Sequence, residues 1–374
     1  MLPTATIDWQ VAEWIAARIG GEPRSELKID LAPLATEAEW RVVAYTGLTP
    51  GGPLPAIEAI SRREWIRSNI SSSQAMLDPL LAQVSDNLRR PPETGSSSKR
   101  PGRRRALTGP LSRTGAAGLS LAASATITTE LGAVMGYLSS RVLGQYELII
   151  FEEYAQDHEP RLLMVMPNLE LAIKRFDADP TEFLTWVTLH EMTHAVQFGS
   201  VPWLRSYLAT LMRQMVASAE QRLAAENRRR PQLPDRDELS RITRALRSGD
   251  LIGALTSEAE REVLAQTQTV MAVIEGHAEH VMDAVAPELL PSLPELRAKL
   301  GRRRKDQGHA GRIIQRALGM EMKLRQYEQG KSFCDAIVAG GGDEALQALF
   351  SAPTALPSPA ELVKPAAWLK RVCS

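Results

Sequence analysis

Residues 181–199 read TEFLTWVTLHEMTHAVQFG, and the spacing of His190, Glu191 and His194 in the pattern H-E-x-x-H decides how the rest of the chain is read. In an α-helix, residues four apart share a face, so both imidazoles can aim one nitrogen at a common point. That arrangement suits two ligands of a tetrahedral zinc, with bonds of about 2.0–2.1 Å to histidine nitrogen. Glu191 flanks the same point from an angle poor for a third ligand. Its expected role is general base towards a water on the metal.

The helix carrying the pattern is signalled at both ends. Asp179 can cap its start, Pro180 fits the first helical position, and Glu182 stands where a capping box wants it. Gly199 is the expected stop. Between them Phe183, Leu184, Val187, Leu189, Met192, Val196 and Phe198 occupy more than one face. This predicts a helix buried nearly all round, with its histidines inside the protein.

A zinc held by two histidines and a water needs another protein ligand. The stretch TSEAEREVLAQTQTVMAVIEGHAEHVMDAV predicts a long helix, begun by a Ser257–Glu260 capping box and followed by Pro287. Along it Glu275, Glu279 and Asp283 recur every four residues, a carboxylate stripe that is costly to bury unless paired or bound to a metal. Two placements compete: Glu275 as ligand with Glu279 behind it, or Glu279 as ligand with Asp283 behind it. The rear carboxylate would hold the free ring nitrogen of a ligating histidine. Glu275 is favoured because it precedes Gly276, where a missing side chain lets another helix approach. His277 and His280 fall elsewhere on the wheel and read as structural or supporting groups.

Composition sets bounds. The 374 residues are 44% hydrophobic and 24% charged, near the average for globular proteins, and Lys plus Arg equal Asp plus Glu at 44 each. No global charge favours nucleic acid or a membrane. Two cysteines, Cys334 and Cys373, exclude a disulfide framework, so a reducing, cytoplasmic setting is the default. The start MLPTATIDWQVAEWIAARIG lacks the pattern of a secretory signal. The uncharged run Thr114 to Thr129 is too short and too rich in Ser, Thr and Gly to span a bilayer alone, and reads as a tightly packed small-residue helix. The sequence carries no signal of oligomeric state.

Along the chain, helices are expected over Asp8 to Ile19, Leu34 to Thr46 and, after the turn-rich TPGGPLP at 49–55, Ile57 to Val84. Trp9, Trp14, Trp40 and Trp65 read as core anchors. Residues 89–113 are rich in Pro, Gly, Ser and basic residues and read as a solvated surface loop. This divides the chain into an N-terminal helical part, 1–88, the basic loop 89–113, and a metal-binding part, 114–374, packed with 1–88 as one unit. A helix over Ala116 to Leu143 leads to two strand candidates, Tyr146 to Glu153 and Arg161 to Met166, the only ones expected. Further helices are expected over 203–226, 236–246 and 311–327, the last ending at Gly330. A turn is expected at the glycines 340–342, and the Pro-rich tail closes on Trp368 as an anchor. The fold class is therefore mainly α with a small β-hairpin or sheet.

The combination of HEMTHAVQF at 190–198, EGHAEHVMD at 275–283 and GMEMKLRQYEQGKSF at 319–333 resembles a bacterial family of zinc-dependent hydrolases or metalloproteases. That family is associated by name with deazaflavin-coenzyme biosynthesis. REWIRSN at 63–69 and RVLGQYEL at 141–148 share the resemblance, which covers most of the chain apart from 89–113. It implies a zincin-like fold of the glutamate-zincin type, with His190, His194 and Glu275 on zinc and Glu191 as base. The stretch between His194 and Glu275 is longer than in better-known glutamate zincins, so an extra helical insertion would lie between the metal helices. The choice between Glu275 and Glu279 stays open.

The expected chemistry is that of a zinc metallopeptidase acting on a peptide or protein. Glu191 takes a proton from the attacking water and returns it to the leaving amine. Strand 161–166 could offer a sheet edge to an extended peptide, and Tyr327, His280 and His309 are candidates to stabilise the oxyanion. Two rivals are an amide hydrolase for a small molecule, recognised by a narrow closed pocket, and a non-catalytic interaction protein that keeps the fold. Nucleic-acid binding through the basic loop is a weaker reading, and no membrane partner is expected.

Overall fold

The computed structural model describes residues 7–89, 110–148, 150, 159–228, 258–292, 294–295, 298 and 320–373. The basic loop from residue 90 to 109, the expected helix 236–246, Ser257 and the start of the expected helix at 311 lie outside the described residues. By internal contacts the chain sorts into two units, Met1–Arg24 with Ile60–Val142, and Ser25–Ala59 with Leu143–Ser374. Each draws on two segments of the chain.

In the first unit, α1 (Trp9–Gly20), α3 (Arg62–Arg89) and α4 (Pro110–Ser139) pack together. Asp8 caps α1 through Val11 N–H at 3.0 Å, as its position predicts. Small residues of α4 let the backbones meet, Gly132 and Gly136 lying against Ala12, Ile15 and Ala16 of α1. Trp65 is buried, but Trp14 is 63% exposed and carries Arg18 over its ring. The expectation that Trp14, an aromatic on a predicted helix, anchors the core is corrected: its indole lies on an exposed face of α1.

The second unit holds the candidate site. The expected helix from Ile57 is corrected: Ile57–Ile60 is a strand, β1, and α3 starts only at Arg62. The missed signal is Ser61, whose hydroxyl accepts from Glu64 N–H while its own N–H donates to the Glu64 carboxylate at 2.7 Å. That reciprocal cap fixes where the helix can begin. β1 joins β2 (Gly144–Glu147) and β3 (Arg161–Val165) in one sheet of order β1-β3-β2. β2 and β3 run antiparallel, with Tyr146 opposite Leu162. Of the expected strand Tyr146–Glu153, Tyr146 and Glu147 are in β2; 149 and 151–158 lie outside the described residues. The run Leu162–Val165 is fully buried, as befits a central strand with both faces covered.

α2 (Ala32–Thr46), α5 (Met166–Phe176), α6 (Pro180–Ser200), α7 (Pro202–Arg228), α8 (Glu258–Val285) and α9 (Met320–Ala348) surround this sheet and one another. The apolar residues of α6 split between two core clusters. Phe183, Leu184 and Val187 join β3 and α5, while Leu189, Met192 and Val196 join α2 and α8. Asp179 accepts from Glu182 N–H at 2.9 Å, but Glu182 does not close a capping box. Its carboxylate instead accepts from Ser292, at 3.0 Å from the backbone N–H and at a short distance from the hydroxyl. The helix runs one residue past the expected stop at Gly199.

Two further expectations change, and the one for the tail holds. Trp40 on α2 is 60% exposed under Arg41 rather than anchored in the core. Gly330 does not end a helix but lies within α9, which bends only at Gly342, where φ is 69°. The last two helices, α10 (Pro359–Val363) and α11 (Pro365–Val372), fold the tail back so that Trp368 is fully buried against Phe333, its indole N–H on Ala355 O at 2.6 Å. Among the described residues no helix is long and apolar enough to cross a membrane.

Candidate metal centre

One turn of α6 separates His190 from His194, and their Nε2 atoms face each other at 3.3 Å. The Glu275 Oε2 of α8 lies 3.6 Å from both. The three donor atoms all fall within 4.8 Å of one another. Two imidazole nitrogens and a carboxylate oxygen converging on one point form a donor set that fits zinc and leaves a fourth position open. Among the described residues Glu279 is not in this cluster.

Glu275 is delivered by an unusually close helix crossing. A Cβ on Gly276 would stand 2.1 Å from the Gly330 carbonyl carbon, and one on Gly330 would stand 1.8 Å from Ala272 O. Only glycine at both positions lets α8 and α9 touch backbone to backbone. The close approach expected at Gly276 is thus present, with Gly330 as its counterpart.

The tautomer of His194 follows from a chain of hydrogen bonds that the sequence reading overlooked. Gln197, fully buried, sets its amide nitrogen 3.0 Å from Ile274 O and 2.8 Å from His277 Nδ1. A carbonyl can only accept, so that end of the amide is the donor. Gln197 Oε1, 2.8 Å from His194 Nδ1, must then accept, so in its neutral form the ring carries its proton on Nδ1 and leaves Nε2 free to face Glu275 and His190. Burial holds the His277 pKa down to about 3, so its ring stays neutral and can accept. His190 turns its other nitrogen to Met282 Sδ at 3.2 Å.

Burial, helped by His194, lowers the His190 pKa to about 4. Burial pushes His194 the same way, but the Glu275 carboxylate outweighs it and raises that pKa to about 9. Glu191 is also buried, and burial pushes its carboxyl up to about 7. One of its oxygens, Oε2, accepts from Tyr146 N–H at 2.9 Å. Gly144 makes room for the same side chain, since a Cβ there would lie 2.7 Å from Glu191 Cγ. β2 therefore sets the position of Glu191 as directly as α6 does.

The remaining candidates are dispersed. Asp283 pairs with Lys331 at 3.0 Å. His280 is engaged at both nitrogens, by Tyr45 Oη at 2.8 Å and by Asp335 Oδ1 at 2.7 Å. The backbone of Tyr327 lies in α9, but its side chain and the whole of His309 lie outside the described residues. Strand β3 cannot offer a free edge to a peptide, because β1 and β2 flank it, and β2 is the edge next to Glu191. Gln197 was detectable in principle, three residues after His194 and so on the same side of α6. Tyr146 and Gly144 carried no local signal.

The chain belongs to the zincin-like metallopeptidase family, whose sequence profile matches residues 7–369. It is also similar over 98% of both chains, at 25% identity and a TM-score of 0.64, to a crystal structure from Chloroflexus aurantiacus described as "a putative hydrolase with a novel fold". No curated protein matches it. The mainly helical architecture with its small three-stranded sheet is thus a zincin-like fold.

Proposed function

We propose that the protein is a zinc-dependent peptidase in which His190, His194 and Glu275 hold the metal and Glu191 is the general base. The observation that carries this reading is the convergence of three donor atoms beside a buried carboxylate on the same helix. A zinc held there would supply Lewis acidity to a scissile carbonyl and to the attacking water.

The chain's own residues divide the remaining work. Tyr146 N–H anchors one oxygen of Glu191, so the carboxylate presents its other oxygen for proton transfer. A base with an ordinary carboxylate pKa would be a weak acceptor at neutral pH. Burial makes Glu191 a stronger one, able to take a proton from water and return it to the departing amine. Gln197 keeps His194 in the ligating tautomer. β2, as the edge strand, is the natural platform for an extended substrate.

The test is Glu191→Gln, compared with wild type for zinc content and for hydrolysis of a peptide library. The variant is expected to keep its metal and lose roughly 10²–10⁴ of the rate. Peptide hydrolysis that survives the substitution unchanged would remove Glu191 from the mechanism.

A further inference from the structure

A cleft of about 530 Å³ in the second unit has in its lining Tyr146, the residue whose backbone holds Glu191. Tyr146 links the two, since its backbone N–H holds the Glu191 carboxylate while its ring lines the cleft. That ring stacks on Phe198, at 5.9 Å and 17°, one helical turn beyond His194. Leu54 and Leu148 continue the apolar wall.

Arg205 is the cationic member of the lining. Its Nε and Nη2 are buried, and neither has a hydrogen-bond partner among the described residues. Nor is any described carboxylate paired with it, whereas Arg41, Arg161 and Arg371 each carry one. A guanidinium is always charged, and leaving its donors without acceptors is costly. The ligand chemistry that answers a planar fork of donors is a carboxylate, and the aromatic and leucine walls answer an apolar side chain. Glu159, exposed at the cleft, is a like charge to any entering anion.

We propose that this cleft receives the end of the substrate bearing a free α-carboxylate next to an apolar side chain, with Arg205 pairing the carboxylate. The proposal rests on the reading of Glu191 as the base, because that places the cleft beside the scissile bond. It makes the enzyme one that cleaves close to a free carboxyl terminus. Water adds to the amide carbonyl, the C–N bond breaks, and the amine that leaves carries the carboxylate held by Arg205.

The test is nuclear magnetic resonance titration of zinc-loaded protein with three probes. They are N-acetyl-L-phenylalanine, its C-terminal amide, and N-acetyl-glutamate α-amide, whose carboxylate sits on a side chain. N-acetyl-L-phenylalanine is expected to bind roughly tenfold or more tightly than either of the others, and the advantage over its amide should vanish in Arg205→Gln. A preference that survives Arg205→Gln would come from the carboxylate meeting the metal and would overturn the proposal. So would equal binding of acid and amide, or a preference for the side-chain carboxylate.

Should Arg205→Gln fail to fold, Glu159→Gln at the exposed rim decides. It should tighten the acid roughly twofold by removing a like charge, and unchanged affinity would contradict the proposal. If wild type takes up no zinc, the peptidase reading fails, while the Arg205-dependent preference can still be measured in the protein as purified. If zinc binds and peptides are cleaved without that preference, only the cleft assignment fails.

Discussion

Gln197 does for His194 what a carboxylate does in many zinc sites, but with a neutral amide whose orientation is fixed by Ile274 O and His277. Replacing it with leucine would leave His194 free to take the other tautomer. Gln197→Leu is expected to weaken zinc binding about 10–100-fold in competition with a chelator, with the fold retained by circular dichroism. Unchanged affinity would mean that the amide only fills space. At this scale the H-E-x-x-H residues were legible because their geometry depends on one helix alone. The choice of Glu275 over Glu279 as the carboxylate in the cluster, and the support from Gly144 and Tyr146, depend on which segments meet in space, and no local pattern encodes that.

At the scale of elements, the caps at Asp8 and Asp179 lay where the sequence put them, because a cap is a contact between residues three apart. Two elements were misread for opposite reasons. β1 is too short for period-two alternation to stand out, and the Ser61–Glu64 cap that would have separated it from α3 went unused. Gly330 carried the ordinary mark of a helix end, yet it is where α9 crosses α8. Gly330→Ala would force those backbones apart and move Glu275 with them. We expect a loss of about 1–3 kcal/mol in urea unfolding together with weakened zinc binding. Wild-type stability and metal affinity in the variant would show that the crossing is not what places Glu275.

Over the whole molecule, the assembly of each unit from two segments was out of reach of a reading that follows chain order. The tail was easier, since an aromatic after a Pro-rich run has little to do except pack back. Glu361 fastens that tail: its carboxylate accepts from Arg371 Nε at 2.7 Å, and chiefly for that reason its pKa falls from 4.5 to about 2. A lowered folded-state value means stability present above pH 4.5 and lost as pH falls towards 2. Glu361→Gln should therefore cost about 1 kcal/mol at neutral pH, with the difference from wild type shrinking across that window in acid titrations of unfolding. A gap that stays constant from neutral pH to pH 2 would rule out the Arg371 pairing as its source.

The central claim, that α6 and α8 together build a metal site, is met most directly by elemental analysis of untagged protein after zinc reconstitution, comparing wild type with Glu275→Gln and Glu279→Gln. The account predicts about one zinc per chain in wild type and in Glu279→Gln, in line with a three-ligand site, and a marked loss in Glu275→Gln. No zinc in wild type, or a loss confined to Glu279→Gln, would contradict it.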